Sequence, residues 1–168
     1  MRRRLPDVIA PGLRVLFCGI NPGLYSTAIG HHFGRPGNRF WPVLHGAGFT
    51  DRVYSPYEDR ALLARGYGIT NLCPRTTARA EELTADELAL GARTLAAKVR
   101  RFRPRVLAIL GVGAYRAAFA QPRAPLGLQP ESVGGARVFV LPNPSGLNAH
   151  YGLPALVQHF GALRRLAS

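Results

Sequence analysis

Short apolar runs alternate along this chain with segments whose apolar residues recur every three or four positions, and the alternation predicts strands and helices in turn. Leu13 to Cys18 reads as a buried strand. A short helix is expected from Arg39 to Gly46. A second is expected from Pro56 to Arg65, where Ser55 and Glu58 have capping-box spacing and Gly66 supplies the stop. Tyr67 to Leu72 reads as the second strand. Thr84 and Glu87 form another capping box, opening a long amphipathic helix in which Leu88, Leu95 and Val99 share a face up to Phe102, ahead of Pro104. Arg105 to Leu110 is the third strand, Gly113 to Ala120 a helix, Arg137 to Leu141 the fourth strand and Leu153 to Leu166 a closing helix. This order implies an α/β fold of three αβα layers, with a central, mostly parallel four-stranded sheet covered on both faces. Neither an internal repeat nor a dividing linker interrupts the pattern, so the 168 residues are expected to form one domain, with residues 1–7 a flexible start.

Polar turns at two strand ends are the candidate chemistry. Gly19-Ile20-Asn21-Pro22-Gly23 follows the first strand, and Pro142-Asn143-Pro144-Ser145-Gly146-Leu147-Asn148 follows the fourth. In a parallel α/β sheet, ligands bind beyond the carboxyl ends of the strands, so the two Asn-Pro turns are expected to face each other across one crevice. Either turn alone reads more readily as a structural turn; the pair points to a site. Gly111-Val112-Gly113, after the third strand, begins like a dinucleotide fingerprint. It has Arg116 where the third glycine belongs, and a tight strand-to-helix turn is the better reading.

Charge adds a partner. Twenty-two Lys and Arg against nine Asp and Glu give a net charge of +13, nearly all of the positive part being arginine, which forks onto phosphate oxygens. A polyanion is the partner this suggests, although an arginine-rich coding bias produces basic chains as well. Cys18 and Cys73 stand far apart without a C-x-x-C arrangement, and no histidine–carboxylate spacing suggests a metal, so neither metal nor cofactor is expected. Pro6, Asp7 and Pro11 break any secretory signal that Arg2-Arg3-Arg4 could open, and no run approaches a membrane span; a cytoplasmic protein without membrane contact is expected.

With both turns in view, the chain resembles the uracil-DNA glycosylase superfamily, and within it the mismatch-specific uracil (and thymine) DNA glycosylase branch. Gly19-Ile20-Asn21-Pro22-Gly23, Phe33, Gly37-Asn38-Arg39-Phe40-Trp41, Gly46-Ala47-Gly48-Phe49-Thr50 and Leu141-Pro142-Asn143-Pro144-Ser145-Gly146-Leu147 carry the likeness in order and spacing. It runs from about Val8 to the last helix. The resemblance implies that Asn21 positions the attacking water, and that Ile20, Gly23, Leu24, Ser26, Phe33 and Asn143 form the base pocket, with Phe33 stacking on the flipped base. It also implies that Ser145 meets a DNA phosphate, that Leu147 fills the gap left by the flipped nucleotide, and that Gly146 and Asn148 read the widowed guanine. Asn21 stands where other branches carry an Asp, which implies a slower enzyme, and Asn143 where the uracil-specific branch carries a His. Ala149 replaces a helpful arginine, and Tyr25 replaces a small residue by the pocket.

The function so implied is a monofunctional glycosylase of base excision repair. It would remove uracil, and modified pyrimidines such as ethenocytosine, opposite guanine in double-stranded DNA, leave an abasic site, and work as a monomer without cofactor. Lys98, the only lysine, lies in the long helix, and no Schiff-base nucleophile stands at either turn. The alternatives are a broad-range uracil-DNA glycosylase acting also on A·U pairs and single strands, a non-catalytic binder of mismatched or abasic DNA, and a basic protein serving a phosphorylated metabolite.

Overall fold

Four apolar runs form parallel strands at the centre of the computed structural model, which describes residues 4–168. They are β1 (Val15–Gly19), β2 (Tyr67–Asn71), β3 (Val106–Leu110) and β5 (Arg137–Leu141). A two-residue strand, β4 (Gly127–Leu128), pairs antiparallel with β5 at the edge. The sheet order is β2-β1-β3-β5-β4, with Val15 level with Tyr67 on one side and Val106 on the other, and Val106 level with Arg137. All of β1 and β3 is buried. Strands covered on both faces are apolar throughout, which is why these runs do not alternate. The expected αβα architecture is present, with five strands where four were expected; a two-residue strand containing a glycine is too short to leave a periodic signal.

One face of the sheet is covered by α2 (Phe40–Gly46), α5 (Leu153–Ala167) and the 3₁₀ helix Pro56–Arg65, the other by α3 (Ala85–Phe102) and α4 (Val112–Ala118). Phe17 anchors the first face. Its ring stacks on Phe160 and meets Phe40, Phe49 and Tyr67 edge-on, and burying such a side chain contributes about 1.5–3 kcal/mol. Both predicted capping boxes form, at Ser55/Glu58 and Thr84/Glu87, and Gly66 ends the first helix in the left-handed conformation. That first helix is 3₁₀ rather than α. A six-residue helix, α1 (Leu24–Ile29), occupies a stretch that carries no clear helical period.

Of the segment 1–7 expected to be flexible, residues 1–3 lie outside the described residues, whereas Pro6 and Asp7 are held. The Pro6 carbonyl accepts from His32, and Asp7 takes Thr70 and Lys98 on its two carboxylate oxygens. Among the described residues no helix is long and apolar enough to cross a membrane.

Candidate active site

The carboxyl ends of β1, β2, β3 and β5 open onto a crevice of about 700 Å³, walled by both Asn-Pro turns. Gly19 and Ile20 come from the end of β1, Asn71 from β2 and Leu110 from β3, while Asn143, Ser145, Leu147 and Asn148 come from the loop after β5. A more apolar hollow of about 800 Å³ adjoins it behind Ile20 and Asn143 and reaches Val112 and Leu126. Convergent polar groups mark the first as the site. Gly111-Val112-Gly113 is the tight turn into α4 and lines the apolar hollow.

Asn21 is held in one orientation. Its amide nitrogen donates to the Arg75 carbonyl at 2.8 Å and to Thr77 Oγ1 at 2.7 Å, and Thr77 in turn donates to the Arg79 carbonyl. A carbonyl can only accept, so the nitrogen faces Arg75 and the amide oxygen, with no protein partner among the described residues, is left for the crevice. The loop supplying these acceptors is itself secured. Arg75 grips Glu87 in a two-pronged ion pair and holds that carboxyl well below the usual range, at about 2, and Glu87 also caps α3. The start of the long helix thus steadies the Asn21 amide through Arg75.

Phe33 lines the crevice beside Asn21 and adopts φ 52°, unusual for a bulky residue. Its ring lies 4.1 Å from that of Phe40, and its edge passes over Gly19, where a Cβ would stand 3.4 Å from it and 2.6 Å from Asn71 Oδ1. A side chain at 19 would displace the Asn71 amide and touch the ring of Phe33. The residue before Phe33 is held at three polar groups: His32 N–H donates to buried Asp59, its carbonyl accepts from Trp41, and its ring donates to Pro6. Ser26, buried in α1, accepts from Gly34 N on the far side. His31 joins the other oxygen of Asp59 and packs on Tyr57. Burial pushes the His32 imidazole below its ordinary value; since the Pro6 carbonyl needs a donor, the neutral ring carries its proton on Nε2.

The loop after β5 is built as a unit. Asn143 Oδ1 accepts from Ser145 N, leaving the amide nitrogen as a donor at the crevice wall. Asn148 braces the loop from both ends of its amide, donating to the Asn143 carbonyl and accepting from His150 N. Arg39 clasps the whole loop: its guanidinium donates to the carbonyls of Pro144, Ser145, Asn148 and Tyr151. Gly146 rests on Gly37, where a Cβ would come within 2.7 Å of the Gly37 carbonyl. At the tip Leu147 is 64% exposed.

The structure therefore brings together Asn21, Ile20, Gly23, Ser26, Phe33, Asn143, Ser145, Leu147 and Asn148. Leu24, expected in the base pocket through its backbone N–H, opens α1 with its side chain turned to solvent at 61% exposure and is not among the residues that line the crevice. Tyr25 follows it outward, 45% exposed. Thr77, Asp59 and the Arg75 carbonyl support the site without having been singled out by sequence, and Arg39, quoted there only as part of a motif, clasps the loop after β5. Thr76-Thr77, polar residues just past the end of β2, were the one visible sign. Among the described residues no three His, Cys, Asp or Glu side chains gather as a metal site.

The three-layer fold and the sequence each match proteins already known. Residues 6–164 match the family model of the uracil DNA glycosylase superfamily. The chain belongs to that superfamily, and hydrolysis of the bond between uracil and deoxyribose in DNA is its activity class. The fold matches the solution NMR structure of a candidate uracil DNA glycosylase from Methanosarcina acetivorans, with a TM-score of 0.68, 18% identity and 99% of each chain covered.

Proposed function

We propose that this chain is a monofunctional glycosylase that excises uracil opposite guanine from duplex DNA and leaves an abasic site. One observation carries the reading above all: the Asn21 amide, with both protons engaged, presents its oxygen to the crevice beside the ring of Phe33. A flipped uracil stacked on Phe33 would put its anomeric carbon within reach of a water accepted by that oxygen. Asn21 orients this water and does not deprotonate it, since an amide has no useful basicity. Bond cleavage passes through an oxocarbenium-like sugar, with negative charge gathering on the base. The Asn143 amide nitrogen and the backbone N–H groups of the first turn are donors suited to that charge. They are neutral, so stabilisation of the leaving group is modest and turnover slow.

Leu147, raised on a loop that Arg39 keeps closed, is suited to occupy the space of the flipped nucleotide, offsetting an unstacking cost of a few kcal/mol. The crevice volume leaves room for enlarged pyrimidines such as ethenocytosine. A second reading, a broad-range uracil glycosylase, is favoured by Asn71: its amide lies at the crevice floor by Phe33 and could match uracil's own N–H and carbonyl whatever the opposite base.

The test compares wild type and Asn21→Ala on labelled duplexes carrying U·G, U·A and single-stranded U, followed by alkaline cleavage of abasic sites. Release from U·G alone, falling at least a hundredfold in the variant, is the expected result. Equal release from all three substrates moves the protein to the broad-range reading. Mismatch binding without any release would overturn catalysis altogether.

A further inference from the structure

Arg35 and Arg79 line the crevice, but a larger group of arginines stands elsewhere. Because β1, β2, β3 and β5 are parallel, all four begin at the opposite rim of the sheet. Arg14 immediately precedes β1, Arg105 precedes β3 and Arg137 opens β5. The pairing of Val15 with Val106 and of Val106 with Arg137 sets the three on adjacent strands, about 5 Å from one to the next. By strand alternation Arg14 and Arg105 fall towards the α3 face and Arg137 towards the other, so they straddle the rim. Helix α3 ends at the same rim with Arg100 and Arg101 in its last turn and Arg103 as its left-handed cap.

All six arginines are exposed, and none forms an ion pair among the described residues. The attraction of a helix carboxyl end for cations accounts for Arg100 and Arg101 but not for the strand-starting row. Carboxylates run the other way: Glu81, Glu82, Asp86 and Glu87 cluster at the start of α3, and Glu81 lines the crevice. Near the arginine rim stand Asp51, taken by Arg65, and Glu131 on the turn into β5.

We propose that this rim is a second DNA-binding surface, which grips the phosphates of another duplex segment while the crevice holds the first. Guanidinium groups spaced by neighbouring strands suit consecutive backbone phosphates and read no bases. A protein with two such surfaces can pass from one segment to another without first dissociating. The row of charge calls for a polyanion, and membership of the superfamily makes that polyanion DNA.

The test measures affinity for an undamaged duplex against salt concentration, for wild type and for the combined Arg14→Gln, Arg105→Gln, Arg137→Gln variant. The slope of log affinity on log salt should fall by about 0.9 for each phosphate that is no longer neutralised, so by about 2–3 in all. Single-turnover excision of uracil from a short duplex at saturating protein should stay unchanged. Wild type loaded on an immobilised abasic duplex should also retain a second, labelled duplex, and the variant should not. An unaltered slope, or no second duplex held by wild type, overturns the proposal. Should the triple variant fail to fold, Arg100→Gln with Arg101→Gln, on an exposed helical turn, carries the same test with an expected fall of about 2. If uracil is left intact in every substrate while the slope still falls, the glycosylase reading fails and the rim stands.

Discussion

The Asn21 amide is held against turning. Rotating its amide would place oxygen against the Arg75 carbonyl, two acceptors face to face, and would break the bond to Thr77. Thr77 is therefore a positioning residue. Thr77→Val removes the acceptor while keeping the shape, and should slow excision by up to about tenfold, the equivalent of one hydrogen bond, with duplex affinity unchanged. Single-turnover rates beside binding isotherms check this; a loss of affinity at constant rate would show that Thr77 shapes the loop instead. Phe33 is the counterpart on the aromatic side. Its positive φ costs of order 1–3 kcal/mol, and the clamps on His32 and Ser26 oppose its relaxation.

At the scale of elements, the crevice depends on two loops locked from outside it. A 3₁₀ turn, Ala80–Glu82, and the first turn of α3 secure the loop behind Asn21, through Glu87 on Arg75 and Glu82 on the Arg79 N–H. The start of α2 secures the other, through Arg39 and the seating of Gly146 on Gly37. Gly146→Ala drives a methyl group against the Gly37 carbonyl and should displace the loop that carries Leu147 at a cost of about 1–3 kcal/mol. Affinity for an abasic duplex should fall by a corresponding factor, read by gel shift, while far-UV circular dichroism stays that of wild type. An unchanged affinity would mean that the loop does not need its seat. The capping boxes that fix these helices were visible as Ser55/Glu58 and Thr84/Glu87 because capping is local, set by residues three apart. The short α1 was not, since six residues between two glycines hold too few turns for a period to show.

For the molecule as a whole, stability should carry the mark of one buried histidine. With His32 held neutral in the fold and free to protonate from its ordinary 6.5 when unfolded, its contribution is complete above about pH 7. It is lost as pH falls through 6.5 towards the lower folded value. The melting temperature should drop between about pH 7 and pH 5 more steeply for wild type than for His32→Gln, which retains a donor for Pro6. Parallel pH profiles would show that His32 is not the group responsible. Sequence determined the order of the four parallel strands and the longer helices, the caps, and the two polar turns, because buried strands, capping residues and Asn-Pro turns are each written in a few consecutive residues. It also exposed Asn21, Phe33 and Leu147 through motif. Tertiary structure alone decided which carbonyls aim Asn21, that Arg39 and Asp59 lock loops distant in sequence from them, that Leu24 faces solvent, and that so many arginines stand at the rim opposite the crevice. Each of those follows from a pairing between segments far apart in the chain, and no local pattern encodes the partner.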